Sequence, residues 1–205
     1  MMIDALREHY TSAVGAEPHL HVMTNRSGKQ VNVFEWPAGT SRLGDLHFYA
    51  SAGASPPTVD QHQHAVELFT GVNRGGQDIL EAFTTMTLNV RESGTRPQHA
   101  VFVTGDWRII PGLKFTSWIL TERPDAFMPT LDLGDAGHVV FLDAIPVFPE
   151  EAQYRHNNRT DDLFEIWEQT EMDSWDLGRS LPTGIQPAAR SFSQWARTKA
   201  RNLRS

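Results

Sequence analysis

The chain contains no cysteine among its 205 residues. This absence excludes disulfide bonds, metal sites built on thiolates and enzymes with a cysteine nucleophile. The sequence also has no stretch approaching the roughly 18 consecutive apolar residues that a membrane-spanning helix needs, and residues 1–8 are charged and periodic, unlike a secretory signal. We therefore expect a cytoplasmic protein that does not associate with membranes.

Basic residues are outnumbered by acidic ones, 18 against 25, which gives a net charge of −7. Proteins that bind nucleic acids gain affinity by neutralising phosphates, so this charge argues against a nucleic-acid partner. The common catalytic patterns are missing too: the sequence has no Gly-x-Ser-x-Gly elbow, no glycine-rich phosphate loop before a lysine and no His-Glu-x-x-His. We expect a protein that is not an enzyme and needs no cofactor.

The composition is that of a globular protein, with 40% hydrophobic residues. The clearest strand and helix signals in the sequence lie between residues 138 and 169. Residues 139–145 are nearly all apolar and are followed by Pro146, which predicts a buried strand at the centre of a sheet. Pro149 then suits the first position of a helix, and Glu150 and Glu151 fall in its first turn, where the helix dipole favours negative charge.

A second helix follows directly, because Asn157-Asn158 is a stop signal and Thr160-Asp161-Asp162 is a new start. Leu163, Ile166 and Trp167 form its apolar stripe. The acidic residues fall mostly elsewhere on the helix, which favours a solvated face or, as the sharper alternative, a partner-binding face.

Other segments predict a mixture of helices and strands. The predicted helices cover residues 3–14 and 79–90, and the predicted strands cover residues 31–36, 45–50, the latter half of 60–71, and 115–120. After Arg190 the chain carries only basic charges and has apolar residues at helical spacing, so we expect a C-terminal basic helix that packs on the acidic helices. Residues 94–112 contain no distinctive pattern.

The sharpest local signal for chemistry is the trio His62, His64 and Glu67. Two histidines at i and i+2 on a strand point to the same side, and imidazole with carboxylate is a common set of divalent-metal ligands. The spacing is similar to that of cupin enzymes, so a metal-dependent cupin-like enzyme is the alternative to a non-enzymatic protein. A polar strand edge or loop without metal is the simpler interpretation, and it is the one we adopt.

Four motifs together resemble the suppressor of fused domain family. They are Tyr-Ala-Ser-Ala-Gly-Ala-Ser at residues 49–55, His-Ala-Val-Glu-Leu at 64–68, the passage 138–151 and Thr-Asp-Asp-Leu-Phe at 160–164. The resemblance implies a mixed α+β (α/β) fold in which helices flank a central mixed sheet. On this basis we expect an N-terminal helix and lead-in (residues 1–30), a suppressor of fused-like domain (31–176) and a C-terminal loop with the basic helix (177–205).

The resemblance also implies a function in binding another protein. Animal members sequester a transcription factor, and stand-alone bacterial members resemble immunity proteins that neutralise polymorphic toxins. We therefore expect an immunity protein that occludes a basic toxin domain, with a scaffolding or regulatory interaction domain as a further alternative. The expected contact surface is the acidic pair of helices, with Glu150, Glu151, Asp161, Asp162, Glu165 and Glu168.

Overall fold

The computed structural model describes residues 2–24, 28–54, 64–93, 97–104, 115–123 and 127–185. Within these ranges the helices are α1 (Met2–Val14), α2 (Gln77–Glu92), α3 (Pro149–Asn157) and α4 (Thr160–Gln169). The strands are β1 (His19–Thr24), β2 (Gln30–Trp36), β3 (His47–Ala52), β4 (His64–Val72), β5 (Val101–Thr104), β6 (Ser117–Thr121), β7 (Leu131–Asp132) and β8 (His138–Val147).

All eight strands belong to one mixed sheet, in the order β1-β2-β3-β4-β8-β6-β5, with β7 paired to the start of β8. The strands β1 to β4 form an antiparallel meander. Strand β8 then joins β4 in parallel, and β6 and β5 continue antiparallel. This arrangement confirms the mixed α+β fold expected from the sequence.

The apolar passage at residues 139–145 lies at the centre of this sheet, as predicted. Residues 138–143 of β8 pair with β4 on one side, and residues 143–147 pair with β6 on the other. Helices cover both faces, so nearly every residue of the strand is buried. A continuous apolar run is what a strand in this position requires.

The helices form two layers around the sheet. Helix α1 packs through Leu6, Tyr10 and Val14 on one face, in a cluster that includes Phe141 of β8. Helix α4 packs through Leu163 and Trp167 in a cluster that includes Ile145 of β8. Since side chains alternate along a strand, Phe141 and Ile145 point to the same side, and α1 and α4 therefore share a face.

Helix α2 covers the opposite face. It buries Ile79, Phe83 and Met86 in a cluster with Leu142 and Ala144, the even-numbered positions of β8. The three-layer arrangement of helix, sheet and helix gives each apolar stripe a partner.

The predicted helices and strands within the described residues agree with the structure. The structure also contains short elements that the sequence did not predict. These are strands β1, β5 and β7 and the single turn of 3-10 helix at Gly134–Ala136. The C-terminal basic helix, expected after Arg190, lies outside the described residues. Among the helices that are described, none has the length and apolar character needed to cross a membrane.

Candidate functional site

Glu67 of β4 is a buried carboxylate whose oxygens accept three hydrogen bonds. Ser51 Oγ donates to Oε2 at 2.6 Å, Gly53 N donates to Oε1 at 2.8 Å and Ala54 N donates to Oε2 at 3.1 Å. Burial raises the pKa of Glu67, while these hydrogen bonds and the charge of Arg91 oppose the rise. The carboxylate thus holds the chain in its turn out of β3.

This network joins two of the motifs that the sequence showed separately, one at residues 49–55 and one at 64–68. Gly53 has a φ of 117°, a conformation that favours glycine. Tyr10 of α1 donates its hydroxyl to the carbonyl oxygen of Ser51 at 3.0 Å, so the same turn also anchors the first helix. Glu67 therefore has a structural role at the junction of three elements.

Glu151 of α3 is a second buried carboxylate, with a different set of partners. Its Oε2 accepts from Phe148 N at 2.8 Å and from Arg179 Nη2 at 2.9 Å, and its Oε1 accepts from Trp167 Nε1 at 3.1 Å. Burial raises the pKa of Glu151, and the Arg179 charge is the main effect that opposes the rise. Arg179 Nη2 also donates to the carbonyl oxygen of Pro146 at 2.7 Å.

These contacts correct the expected role of Glu151. The sequence placed Glu151 on an acidic contact surface, but its side chain is fully buried and is not available to a partner. The cause is geometric: adjacent positions on a helix point about 100° apart, so the pair Glu150-Glu151 does not share one face.

Asp161, Glu165 and Glu168 are the exposed members of the expected contact set. They lie at i, i+4 and i+7 on α4, so they form one row on the outer side of the helix, which we call the acidic stripe. Asp162 is half-buried and accepts from Arg159 N at 2.9 Å, where it caps the first turn of α4. Glu150 is half-buried on α3.

A cleft that sequence reasoning did not predict lies between α2 and β5. It has a volume of about 630 Å³ and is lined by the last turn of α2, by Pro97 and by all four residues of β5. Within the described part of the chain, β5 pairs only with β6 and forms one edge of the sheet. Val101 of β5 is 37% exposed there.

Helices α3 and α4 flank the same edge from the other face of the sheet. The Arg155 guanidinium of α3 lies 5.1 Å from the centre of the Phe102 ring of β5. The ring of His99, which precedes β5, lies 5.7 Å from the ring of Phe164 on α4. The cleft and the acidic helices therefore border one edge strand from opposite faces of the sheet.

Sequence comparison identifies the family to which this arrangement belongs. The family model for suppressor of fused protein matches residues 29–180. The chain belongs to the suppressor of fused family. The match includes Glu67 and Glu151, and it ends just after Arg179.

Solved structures of suppressor of fused proteins share the fold. A homologue from Neisseria gonorrhoeae has a TM-score of 0.63 at 14% identity, with 91% of this chain and 96% of that chain covered. A crystal structure of the Sufu–Fu complex gives a TM-score of 0.62 at 12% identity over 92% of this chain and 98% of that chain. Drosophila Suppressor of Fused gives 0.62 at 12% identity, covering 98% of this chain and 53% of that protein.

Among curated proteins, no sequence matches this chain. The suppressor of fused family consists of regulatory protein-interaction modules, and this chain carries such a module. Its resemblance to the family, inferred from four short motifs, is confirmed.

The cupin-like alternative is wrong with respect to the fold. Cupins are built from two packed β-sheets, whereas the described strands of this suppressor of fused domain form one sheet with helices on both faces. Of the three expected ligands, His62 lies outside the described residues, His64 begins β4, and the Glu67 oxygens accept hydrogen bonds from the turn after β3. No group of three or more metal-binding side chains occurs in the described ranges.

Proposed function

We propose that this chain is a non-enzymatic protein-binding module that recognises an extended segment of another protein along β5. The observation that carries the proposal is the 630 Å³ cleft beside this edge strand. An added strand gains main-chain hydrogen bonds from the edge, and its alternate side chains enter the cleft. Val101 supplies apolar surface at the point of contact.

The acidic stripe favours a basic partner. Asp161, Glu165 and Glu168 lie on the outer side of α4, the helix that contacts His99 before β5. Negative charge beside a binding edge accelerates association with a positively charged protein and makes that association dependent on salt. Glu150 and Asp162, which are half-buried, add to the same negative field.

A basic toxin domain is the partner that we propose, and the chain would then act in the cytoplasm of a bacterium as an immunity protein. It would neutralise the toxin by occluding its active surface, without chemistry of its own. The stripe and the bacterial stand-alone members that the sequence resembles support this proposal. A scaffolding or regulatory domain would differ from it in the identity of the partner.

Affinity capture tests the proposal. The tagged chain is incubated with lysate of its own organism at low and at moderate salt, and co-purifying proteins are identified by mass spectrometry. We expect one stoichiometric basic partner with a toxin domain, retained more strongly at low salt. A stoichiometric partner that is not a toxin would support the scaffolding role, and no retained partner would contradict the binding proposal.

Two matched pairs of variants then locate the contact surface. The triple reversal Asp161→Lys, Glu165→Lys and Glu168→Lys is compared with Glu8→Lys, Asp45→Lys and Asp135→Lys, exposed acids elsewhere. Each acid-to-lysine change raises the net charge by two units, so each triple variant changes the net charge from −7 to −1. We expect only the first triple to weaken binding more than tenfold and to remove most of the salt dependence; equal losses would contradict a local acidic contact.

The edge strand is tested separately, with Val101→Lys on β5 against Val22→Lys on β1. Both valines are exposed, by 37% and 59%, and they lie at opposite edges of the sheet. We expect the β5 variant to lose the partner and the β1 variant to keep it. If both variants bind equally, the partner does not use the β5 edge.

A further inference from the structure

Strand β1 forms the other edge of the sheet, and it has the properties of an interface. Among the described strands it pairs only with β2, through six consecutive residues without a bulge. Its sequence, His-Leu-His-Val-Met-Thr, contains no proline, no lysine and no carboxylate. Natural proteins protect exposed edges with such residues or with bulges, and β1 uses none of these devices.

The outward face of β1 is also apolar. Leu20 and Val22 are 50% and 59% exposed, and their i, i+2 spacing places both side chains on one face of the sheet. Leu20 lies opposite Phe34 in the register of β1 with β2, so this is the face on which α1 packs. Among the described residues only four large hydrophobic side chains are exposed, and two of them are this pair.

We propose that β1 pairs antiparallel with β1 of a second copy of this chain, forming a two-fold symmetric dimer with a continuous sheet. In a pairing centred on His21, Leu20 of each copy lies opposite Val22 of the other. The dimer thus contains two Leu20–Val22 pairs, one on each side of the symmetry axis, and in each pair the exposed apolar side chains cover each other. Such cross-strand pairs stabilise sheets. One strand supplies both halves of the contact, as a two-fold interface requires.

The charge of β1 permits a second copy as the occupant. The chain carries a net charge of −7, which opposes self-association unless the contact lacks carboxylates. Strand β1 has no carboxylate, and Glu35 on the neighbouring strand is already held by His21 at 2.7 Å. Helix α4, which carries the acidic stripe, packs through its apolar side on β6 and β8, toward the opposite end of the sheet. Pairing through β1 therefore keeps the two stripes apart and leaves both β5 edges free.

The oligomeric state of the full chain tests this proposal by light scattering and sedimentation over a range of concentrations. We expect a dimer for the native chain and for Val101→Lys, and a monomer for Val22→Lys and for Leu20→Lys. Circular dichroism and thermal melting establish that the lysine variants are folded. A native chain that is monomeric at every concentration, one that forms open-ended aggregates, or lysine variants that remain dimeric would each overturn the proposal.

Cross-linking gives an independent measurement of register. Because the chain has no cysteine, a single introduced cysteine can form a disulfide only between copies. We expect oxidation to cross-link His21→Cys, at the symmetry axis, and not Val101→Cys on the other edge. Failure of cysteines at positions 20, 21, 22 and 23 to cross-link would contradict pairing through β1.

Discussion

At the scale of single residues, the buried carboxylates of Glu67 and Glu151 hold this domain together through contacts between separate parts of the chain. Glu67 receives donors at both oxygens, from Ser51 Oγ and Ala54 N at one and from Gly53 N at the other. Ser51 Oγ itself accepts a hydrogen bond from Leu68 N at 2.8 Å, while the backbone N–H groups of Gly53 and Ala54 can only donate. Each oxygen of Glu67 therefore faces at least one group that requires an acceptor.

Replacing Glu67 with glutamine should destabilise the domain, although it removes a buried charge. The amide nitrogen of glutamine would face an N–H or O–H donor whichever way the side chain is oriented. A buried group left unpaired costs about 1–3 kcal/mol, and urea denaturation would measure that loss. Glu81→Gln, at an exposed position of α2, should change stability by less than about 0.5 kcal/mol; similar losses in both variants would contradict this role of Glu67.

Replacing Arg179 with methionine removes the cation beside Glu151. Breaking a buried ion pair on one side costs about 3–5 kcal/mol at neutral pH. The pKa of Glu151 is already raised by burial, and loss of Arg179 raises it further. A group whose pKa is higher in the folded than in the unfolded state stabilises the fold as it becomes protonated. The loss of unfolding free energy caused by Arg179→Met should therefore become smaller as the pH falls toward 4.5.

Urea denaturation at pH 7 and pH 5 tests this pH dependence. The control is Arg159→Met, since the Arg159 side chain is 78% exposed and should contribute little at either pH. A loss of stability in Arg179→Met that is the same at both pH values would show that Glu151 does not take up the proton.

At the scale of secondary-structure elements, the sequence predicted best where one physical signal dominates. The strand β8 is buried on both faces and is therefore continuously apolar, and α3 begins at Pro149 as expected. Strand β5 has only four residues and β1 is largely exposed, so neither has enough apolar periodicity to be recognised. The cleft depends on β5 and was missed with it.

The assignment of Glu151 to the surface failed for a different reason. Its partner Arg179 is 28 residues away, and local composition does not indicate which of two adjacent glutamates turns inward. Glu165 and Glu168, by contrast, are exposed as expected, because the apolar residues of α4 define the buried side of that helix.

Asp162 is an acidic residue of α4 that stabilises the start of its own helix. Its carboxylate accepts the Arg159 N–H at the start of the helix, so Asp162→Ala should cost about 1 kcal/mol, the usual value of a capping interaction. Asp161→Ala is the adjacent control, with a side chain 67% exposed. Thermal denaturation of the two variants should show a lower midpoint for Asp162→Ala only; equal midpoints would assign Asp162 to the surface rather than to the cap.

At the scale of the whole molecule, the segment after α4 belongs to the packed structure. Trp175 lies against Gly71 of β4, Asn73 bonds to the backbone of Leu177, and Ile185 is buried beside α4. The expected division of the chain at residues 30 and 176 remains a prediction, yet these contacts show that residues 177–185 contribute to the core.

Shortened chains would measure this contribution. A chain ended after Asp176 loses Arg179, Leu177 and Ile185 together and leaves Glu151 buried without its cation, so we expect a loss of more than about 3 kcal/mol. A chain ended after Ile185 retains all of these contacts. Chemical denaturation should show the chain ended after Asp176 to be less stable than the chain ended after Ile185 by that amount; equal stability of these two chains would contradict the packing described.

The parallel pair β4–β8 also determines the order in which the chain can fold. His64 and His138 are paired although 74 positions separate them (138 minus 64), whereas β1 to β4 pair with their immediate neighbours in sequence. Long loops close slowly, so we expect the meander to form first and β8 to pair with β4 afterwards. During synthesis the edge of β4 would therefore remain open until residue 147 has left the ribosome, which makes that interval the period in which a nascent chain is most prone to pair with another.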